Sequence, residues 1–215
     1  MTSLAGPQSA RRRVLSPGTR ALTVLLQSPV AMAIKRPIRD LVWNVKGARL
    51  TNPPLPSRVE SVLFVCLGNI CRSPFAAYLA EKRSGTTGRA LRCSSAGLRT
   101  SQGGRSPDAA CEVARTFGVA LDGHRPQTLT RALVDSHDLI VAMEAAHFVE
   151  LRGTYPDAAG RIVLLPLFDD AAGRGYDRFN IADPFANPRD AFETCYRRID
   201  RALGRLFPHL HRHQD

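Results

Sequence analysis

No apolar run in this sequence approaches the roughly 18 residues of a membrane-spanning helix, so a helical span is not expected. Cysteine is scarce and odd in number: Cys66, Cys71, Cys93, Cys111 and Cys195. Only the first two are close together, which does not make a disulfide framework and fits a reduced, cytoplasmic protein. Internal repeats and low-complexity tracts are missing as well. Acidic residues are nearly absent from one part of the chain. Residues 1–57 hold nine Lys/Arg and one acid, Asp40, a net +8, whereas residues 58–215 hold 21 Lys/Arg and 18 acids, a net +3. The overall charge of +11 therefore belongs mostly to the first segment, and the near-balanced remainder gives no reason to expect a specific nucleic-acid partner.

What is present is ordinary for a globular chain: 215 residues, 44% hydrophobic and 23% charged. That is enough for one cored domain, here 58–215, with an extension, 1–57. The extension is expected to be partly disordered, with weak contact to an anionic surface as its most direct use. The arginines Arg11 to Arg13 precede an apolar run, Ala21 to Ile34, in the manner of a signal peptide. Ser28-Pro29 interrupts that run, and a reduced body follows, so the cytoplasmic reading is the stronger. A short amphipathic helix near 37–46 fits the pattern, and the sequence leaves open whether its Trp43 is solvated or packed. "NPPLP", Asn52 to Pro56, is a stiff linker.

From Arg58 onward apolar strands alternate with helical segments. Ser61 to Val65, Ala90 to Ser94, His137 to Met143 and Arg161 to Leu165 read as strands. Ser73 to Arg83, Pro107 to Phe117, Glu144 to Arg152 and Pro188 to Phe207 read as helices, and a long loop precedes the last. Phe192, Cys195, Tyr196, Ile199, Leu203 and Leu206 form one apolar face of that last helix. Such alternation predicts a parallel sheet covered on both faces. Three polar-proline pairs, Ser73-Pro74, Ser106-Pro107 and Asn187-Pro188, read as helix N-caps followed by proline at the first helical position.

The chemistry concentrates where the first strand meets the first helix, in "CLGNICRSP", Cys66 to Pro74. A loop at the carboxyl end of a parallel strand, running into a helix N-terminus, is an anion site. Leu67, Gly68, Asn69, Ile70, Cys71, Arg72 and Ser73 would line it. Gly68 permits close approach or positive φ, Asn69 tolerates the left-handed region, and Arg72 offers a fork of donors that matches two phosphate oxygens. Those donors and the helix dipole favour a thiolate on Cys66, with Ser73 as a hydrogen-bond donor to it. A thiolate beneath a bound phosphate is a nucleophile for in-line attack on phosphorus. Asp183, in "IADPFANP" of the long loop, is the candidate to protonate the leaving group and later activate water. Cys71, five residues after Cys66, can pair with it in a reversible protective disulfide.

These residues, with "SSAG" (Ser94 to Gly97), "GHRPQTLT" (Gly123 to Thr130) and "HDLIVAM", resemble the low-molecular-weight protein tyrosine phosphatase family of the bacterial type, over about residues 58–207. The resemblance implies a three-layer α/β fold with a four-stranded parallel sheet in the order 2-1-3-4. It implies Cys66 as nucleophile, Arg72 for phosphate and transition-state binding, and Asp183 as general acid. It implies a supporting network of Asn69, Ser73, Ser95 and His124, and it calls for no metal and no cofactor. The expected substrate is a phosphotyrosine protein, such as an autophosphorylated bacterial tyrosine kinase of polysaccharide export, along with small aryl phosphates. The sequence departs from the family in two places. The family pattern H-x-A-R-Q is replaced here by His124-Arg125-Pro126-Gln127, and the two aromatics that often follow Asp-Pro are reduced to Phe185, with Ala186 after it.

Other readings share the scaffold. A protein arginine phosphatase is expected to carry threonine where this loop has Ile70, and the larger apolar side chain favours an aryl ester. An arsenate reductase needs further redox cysteines about 70–80 residues after the loop, and no cysteine lies between His137 and Cys195. A non-catalytic phosphate-binding module would not need Cys66, Arg72 and Asp183 together.

Overall fold

Six consecutive buried residues make β1 (Ser61–Cys66), and strand geometry sends their side chains alternately to two sides. Val62, Phe64 and Cys66 enter one apolar cluster, while Leu63 and Val65 enter another. A strand with no solvent face must lie inside a sheet covered on both sides. β1 pairs in parallel with β2 (Arg92–Gly97) and with β3 (Leu139–Ala142), and β3 pairs in parallel with β4 (Ile162–Leu164). The order β2-β1-β3-β4 is the one expected. The computed structural model describes residues 29–86, 90–101 and 103–211. The arginine run Arg11 to Arg13 and the beginning of the Ala21 to Ile34 run lie outside the described residues.

Helices α2 (Arg72–Thr86), α3 (Asp108–Thr116) and α7 (Arg189–His211) cover one face. The apolar stripe read on α7 is buried throughout, and its Tyr196 stacks on Phe75 of α2 with ring centroids 3.8 Å apart. Helices α4 (Arg131–Asp135) and α5 (Ala145–Thr154) cover the other face.

The second strand lies two to three residues later than its apolar content indicated. Ser95, Ala96 and Gly97 carry little strand propensity, but pairing with Phe64, Val65 and Cys66 extends the strand through them. The proline-marked starts also differ. Helix α2 begins at Arg72, and Ser73 spends its hydroxyl on Cys66 and Asn69 instead of a cap. Helix α3 begins at Asp108 without a side-chain cap, leaving the buried Ser106 hydroxyl without a partner.

The long loop is mostly ordered into short turns plus α6 (Tyr176–Phe179). Against α6 packs α1 (Pro29–Gly47), which contains the segment expected to be helical near 37–46. Trp43 contacts Tyr176 edge-on and stacks on Phe179, at 5.7 and 6.1 Å between centroids. Asp40 accepts from the Tyr176 amide at 3.0 Å, and Asn44 accepts from the Gly175 amide at 2.9 Å. A Cβ at Gly47 would collide with the Phe179 ring, so the close approach needs that glycine. Asn52, in the stretch read as a linker, donates to Leu164 O at 3.2 Å and accepts from Leu164 N at 2.7 Å, pairing with the backbone of β4. Among the described residues, no helix is long and apolar enough to cross a membrane.

Candidate active site

β1 ends at Cys66 and α2 begins at Arg72, so the five intervening residues fold as a cradle at the carboxyl edge of the sheet. The backbone on either side of it is fixed first. Leu98 N donates to Cys66 O at 3.0 Å and Arg99 N to Leu67 O at 2.8 Å, tying the cradle to the chain leaving β2. A Cβ on Gly97 would sit 2.8 Å from Leu67 O and 3.0 Å from Asn69 N, so this glycine is what admits the loop. Gly68 does not have the special role its sequence position invited: it has no positive φ, and a Cβ there would meet Ile70 at 3.7 Å and Arg99 O at 4.0 Å, both ordinary contacts. The left-handed residue is Asn69, at φ 54°.

Asn69 pays for that conformation with a full set of partners. Its Nδ2 donates to Ser73 Oγ and to Ser95 Oγ, both at 2.9 Å, and its Oδ1 accepts from Gln127 N at 2.9 Å. Its carbonyl accepts from His124 Nε2 at 2.8 Å. A carbonyl can only accept, so His124 carries its proton on Nε2. Burial, reinforced by Arg125, pushes the His124 imidazole below its usual range, although the bond to Asn69 opposes this. The four residues expected to form a network therefore do come together. Gln127 joins them with a second bond, from Nε2 to Ser95 O at 2.9 Å. It supports the loop that the altered segment after His124 put in question.

Cys66 Sγ accepts from Asn69 N at 3.3 Å and lies 3.0 Å from Ser73 Oγ. Ser73 Oγ receives a hydrogen from Asn69, and its one proton has two acceptors in reach, the sulfur at 3.0 Å and the Ala96 carbonyl at 3.4 Å. Cys71, in the same loop, is buried, and its carbonyl accepts from Tyr196 at 3.3 Å. Burial first, then Asp183 and Cys66, push its thiol well above the ordinary range.

Arg72 is 1% exposed. Its guanidinium pairs with Glu144, donates from Nη1 to Ile181 O at 3.1 Å and donates from Nη2 to Asp183 Oδ2 at 2.6 Å. Burial alone would weaken its hold on its proton, but Cys66, Asp183 and Glu144 outweigh this and hold it above its usual value. Its Nε is buried without a partner, a donor free to meet an anion in the cradle. Asp183 also accepts from Phe185 N at 3.1 Å through Oδ1, and Asn187 Nδ2 donates to Phe185 O at 3.0 Å, closing a tight turn. Asn187 thus ties this turn and is not spent as a helix cap. Ala186 takes the left-handed conformation there, at φ 61°.

Above the cradle lies a cavity of about 240 Å³. Cys66, Leu67, Gly68, Ile70, Cys71 and Arg72 line its floor, and Asp183, Phe185, Arg99 and Ser101 line its walls. Every residue expected to bind phosphate or carry out chemistry except Asn69 and Ser73 lines this cavity, with Leu67 and Phe185 exposed at it. Asn69 and Ser73 lie under the cradle, not facing the cavity. The sequence reading did not assign Glu144, Gln127, Gly97, Arg99 or Ser101 to the site. Glu144 carried a usable signal, since it is a carboxylate immediately after a parallel strand, on the edge where Cys66 also ends. Gly97 acts through a close backbone approach that its residue type does not announce, and Gln127 acts through both its backbone amide and its side chain.

The model of the low molecular weight phosphotyrosine protein phosphatase family matches residues 61–215. The low molecular weight protein-tyrosine-phosphatase Etp of Escherichia coli (strain K12) is 33% identical over 145 residues, covering 67% of this chain and 90% of the relative. The solved structure of the Erwinia amylovora tyrosine phosphatase AmsI is 33% identical with a TM-score of 0.62, covering 72% of this chain and 95% of that one. The YwlE arginine phosphatase from Geobacillus stearothermophilus is 27% identical with a TM-score of 0.61, covering 73% and 99%. With the cradle, the order of the sheet and these likenesses in agreement, the chain belongs to the low molecular weight phosphotyrosine protein phosphatase family.

Proposed function

We propose that this chain hydrolyses phosphotyrosine in proteins, and small aryl phosphates, through a cysteinyl-phosphate intermediate, with residues 58–215 as the phosphatase domain and residues 1–57 as its extension. The observation that carries the reading is Cys66 Sγ at the base of the cradle, held by Asn69 N and Ser73 Oγ beneath the Arg72–Asp183 pair. The phosphoryl group enters the cavity and takes up the donors of Arg72. Cys66 sulfur attacks phosphorus in line, the S–P bond forms, and the P–O bond to the tyrosine oxygen breaks as Asp183 gives that oxygen its proton. Water then attacks phosphorus, Asp183 takes its proton, and the S–P bond breaks to return the Cys66 thiolate. Glu144 keeps the Arg72 guanidinium aimed along the cavity floor. The partner is a phosphotyrosine protein of the kind represented by a bacterial tyrosine kinase of polysaccharide export, met in the cytoplasm, with the basic extension supplying weak contact to anionic surfaces.

A protein arginine phosphatase is the second reading, favoured by the likeness to YwlE. Ile70 speaks against it, because its bulk on the cavity floor suits a flat aryl ring better than a polar guanidine. Wild-type protein and Cys66→Ser should be assayed in parallel on phosphotyrosine, phosphoserine and phosphoarginine peptides. The expected outcome is turnover of phosphotyrosine by the wild type and none by Cys66→Ser. A preference for phosphoarginine would select the second reading, and appreciable hydrolysis by pure Cys66→Ser would remove cysteine catalysis altogether.

A further inference from the structure

Helix α1 has two apolar sides, and the domain uses only one. Asp40, Trp43, Asn44 and Gly47 face the segment 175–179. At 100° per residue the opposite side carries Ile38, Leu41, Val42 and Val45. They follow the i, i+3, i+4, i+7 spacing that ordinarily marks a buried face. Here they are 60%, 66%, 42% and 72% exposed, half of the large hydrophobic side chains that stand exposed among the described residues. A contiguous apolar stripe of this kind marks an interaction site.

Charge and size decide what it fits. Asp40, the one acid of residues 1–57, is half-buried, accepts from the Tyr176 amide and pairs with Arg39 at 3.4 Å, so residues 1–57 keep a net charge of +8. Lys46 flanks the stripe and Arg49 follows its end, whereas the Arg39 guanidinium beside it is drawn over the Tyr176 ring, 4.3 Å from its centroid. Four aliphatic side chains along about two turns fall well short of the about 800 Å² per partner of a standard protein interface. An amphipathic helix with lysine and arginine beside its apolar face needs less, because it combines shallow insertion with attraction to anionic headgroups. We propose that α1 is an interfacial helix that seats the protein on an anionic bilayer through Ile38, Leu41, Val42 and Val45. The inner face of α1 holds α6, which leads directly to Asn180, Ile181 and Asp183. The bilayer would thus lie behind the catalytic loop, with the cradle left open to a protein substrate at the same surface.

The test is co-sedimentation of the full chain with vesicles of phosphatidylcholine and phosphatidylglycerol in equal parts, against vesicles of phosphatidylcholine alone. Hydrolysis of p-nitrophenyl phosphate in solution is followed separately, so loss of binding and loss of catalysis are distinguishable. Wild-type protein should bind the anionic vesicles at least tenfold better than the neutral ones, and less well as salt rises. The variant Ile38→Ser/Leu41→Ser/Val42→Ser/Val45→Ser should lose that binding at least tenfold and keep its turnover. Leu41→Trp should keep or strengthen binding and blue-shift in fluorescence on anionic vesicles. Equal binding by wild type and the quadruple variant would overturn the proposal. So would a wild-type chain that ignores the vesicles, or one that light scattering shows to be a dimer whose quadruple variant is monomeric, which would make a second copy the occupant.

Discussion

Asp183 holds Arg72 with one oxygen and the Phe185 amide with the other, at 2.6 and 3.1 Å. As a general acid it must release the first to meet a leaving oxygen, whereas the second fixes its backbone turn. Asp183→Ala is therefore expected to slow turnover by about 100-fold or more, the usual scale of general acid catalysis. The loss should shrink for phenols of low pKa, which leave without a proton. Equal losses across a series of aryl phosphates would make the residue structural. Cys71 differs from Cys66 in its surroundings, since burial and the charges of Asp183 and Cys66 keep its thiol protonated. It would not compete as a nucleophile in the resting enzyme. Peroxide would convert the Cys66 sulfur to a sulfenic acid with loss of water, and attack by Cys71 sulfur would expel a second water and close the pair as a disulfide. Mild peroxide should thus inactivate the enzyme and added thiol restore it, with Cys71→Ser losing the restoration. Mass spectra without a Cys66–Cys71 linkage after partial oxidation would rule this out.

At the scale of elements, the loop carrying Asp183 is anchored at its base to α7. Asp169 is buried and accepts from Arg198 Nε at 3.3 Å and from Arg201 Nε and Nη2 at 3.0 Å each, while Arg198 Nη1 reaches Asn180 O at 2.8 Å. Removing the carboxylate leaves the buried Arg198 with only the more exposed Asp177, at 3.5 Å, as a charge partner, so Asp169→Ala should cost about 2 kcal/mol. Since the site itself is untouched, the variant should keep Cys66 reactive toward iodoacetate but lose turnover as Asp183 drifts. Urea unfolding and the two assays separate these effects, and unchanged turnover would show that the loop needs no anchor. This anchor was not legible in the sequence, because an aspartate and two arginines about thirty residues apart announce nothing until topology brings them together. The cradle was legible for the opposite reason. Its strand, its loop and its helix start are contiguous, so Cys66, Asn69, Arg72 and Ser73 carry their chemistry in local order. The parallel sheet followed from the alternation of strands and helices, and its order from the family resemblance. What local reading misjudged were residues with two available uses. Of the two uses the sequence offers Ser73, helix cap and partner of the sulfur, only the second is taken up, and Ser95 to Gly97, outside the strand the sequence indicates, complete it.

On the scale of the whole molecule, three buried histidines set a common pH dependence. His124, His137 and His147 are all pushed below their ordinary value of 6.5, in each case first by burial. The hydrogen bonds of His124 to Asn69 O and of His137 to Leu133 O, and the charge of Glu144 beside His147, oppose the shift without reversing it. With folded values below the unfolded one, the unfolded chain binds more protons once the pH falls below about 6.5. The stabilisation is therefore complete above that value and is lost as the pH drops toward the folded values. Asp138, Asp157 and Asp169 are shifted down from 3.8, so their contribution is lost only in more acidic solution. The unfolding midpoint in urea should thus fall in two stages, the first between about pH 6.5 and 5 and the second below about pH 4. His147 is the cleanest probe, because its Nδ1 is buried without a partner and its nearest charged contact, Glu144, lies 3.9 Å away. His147→Leu should flatten the first stage and leave the second in place. A midpoint that is level from pH 7 to 5 in the wild type, or a first stage that keeps its full slope in His147→Leu, would count against the assignment. In the second case the two remaining histidines would have to carry the slope, which His137→Phe would then decide.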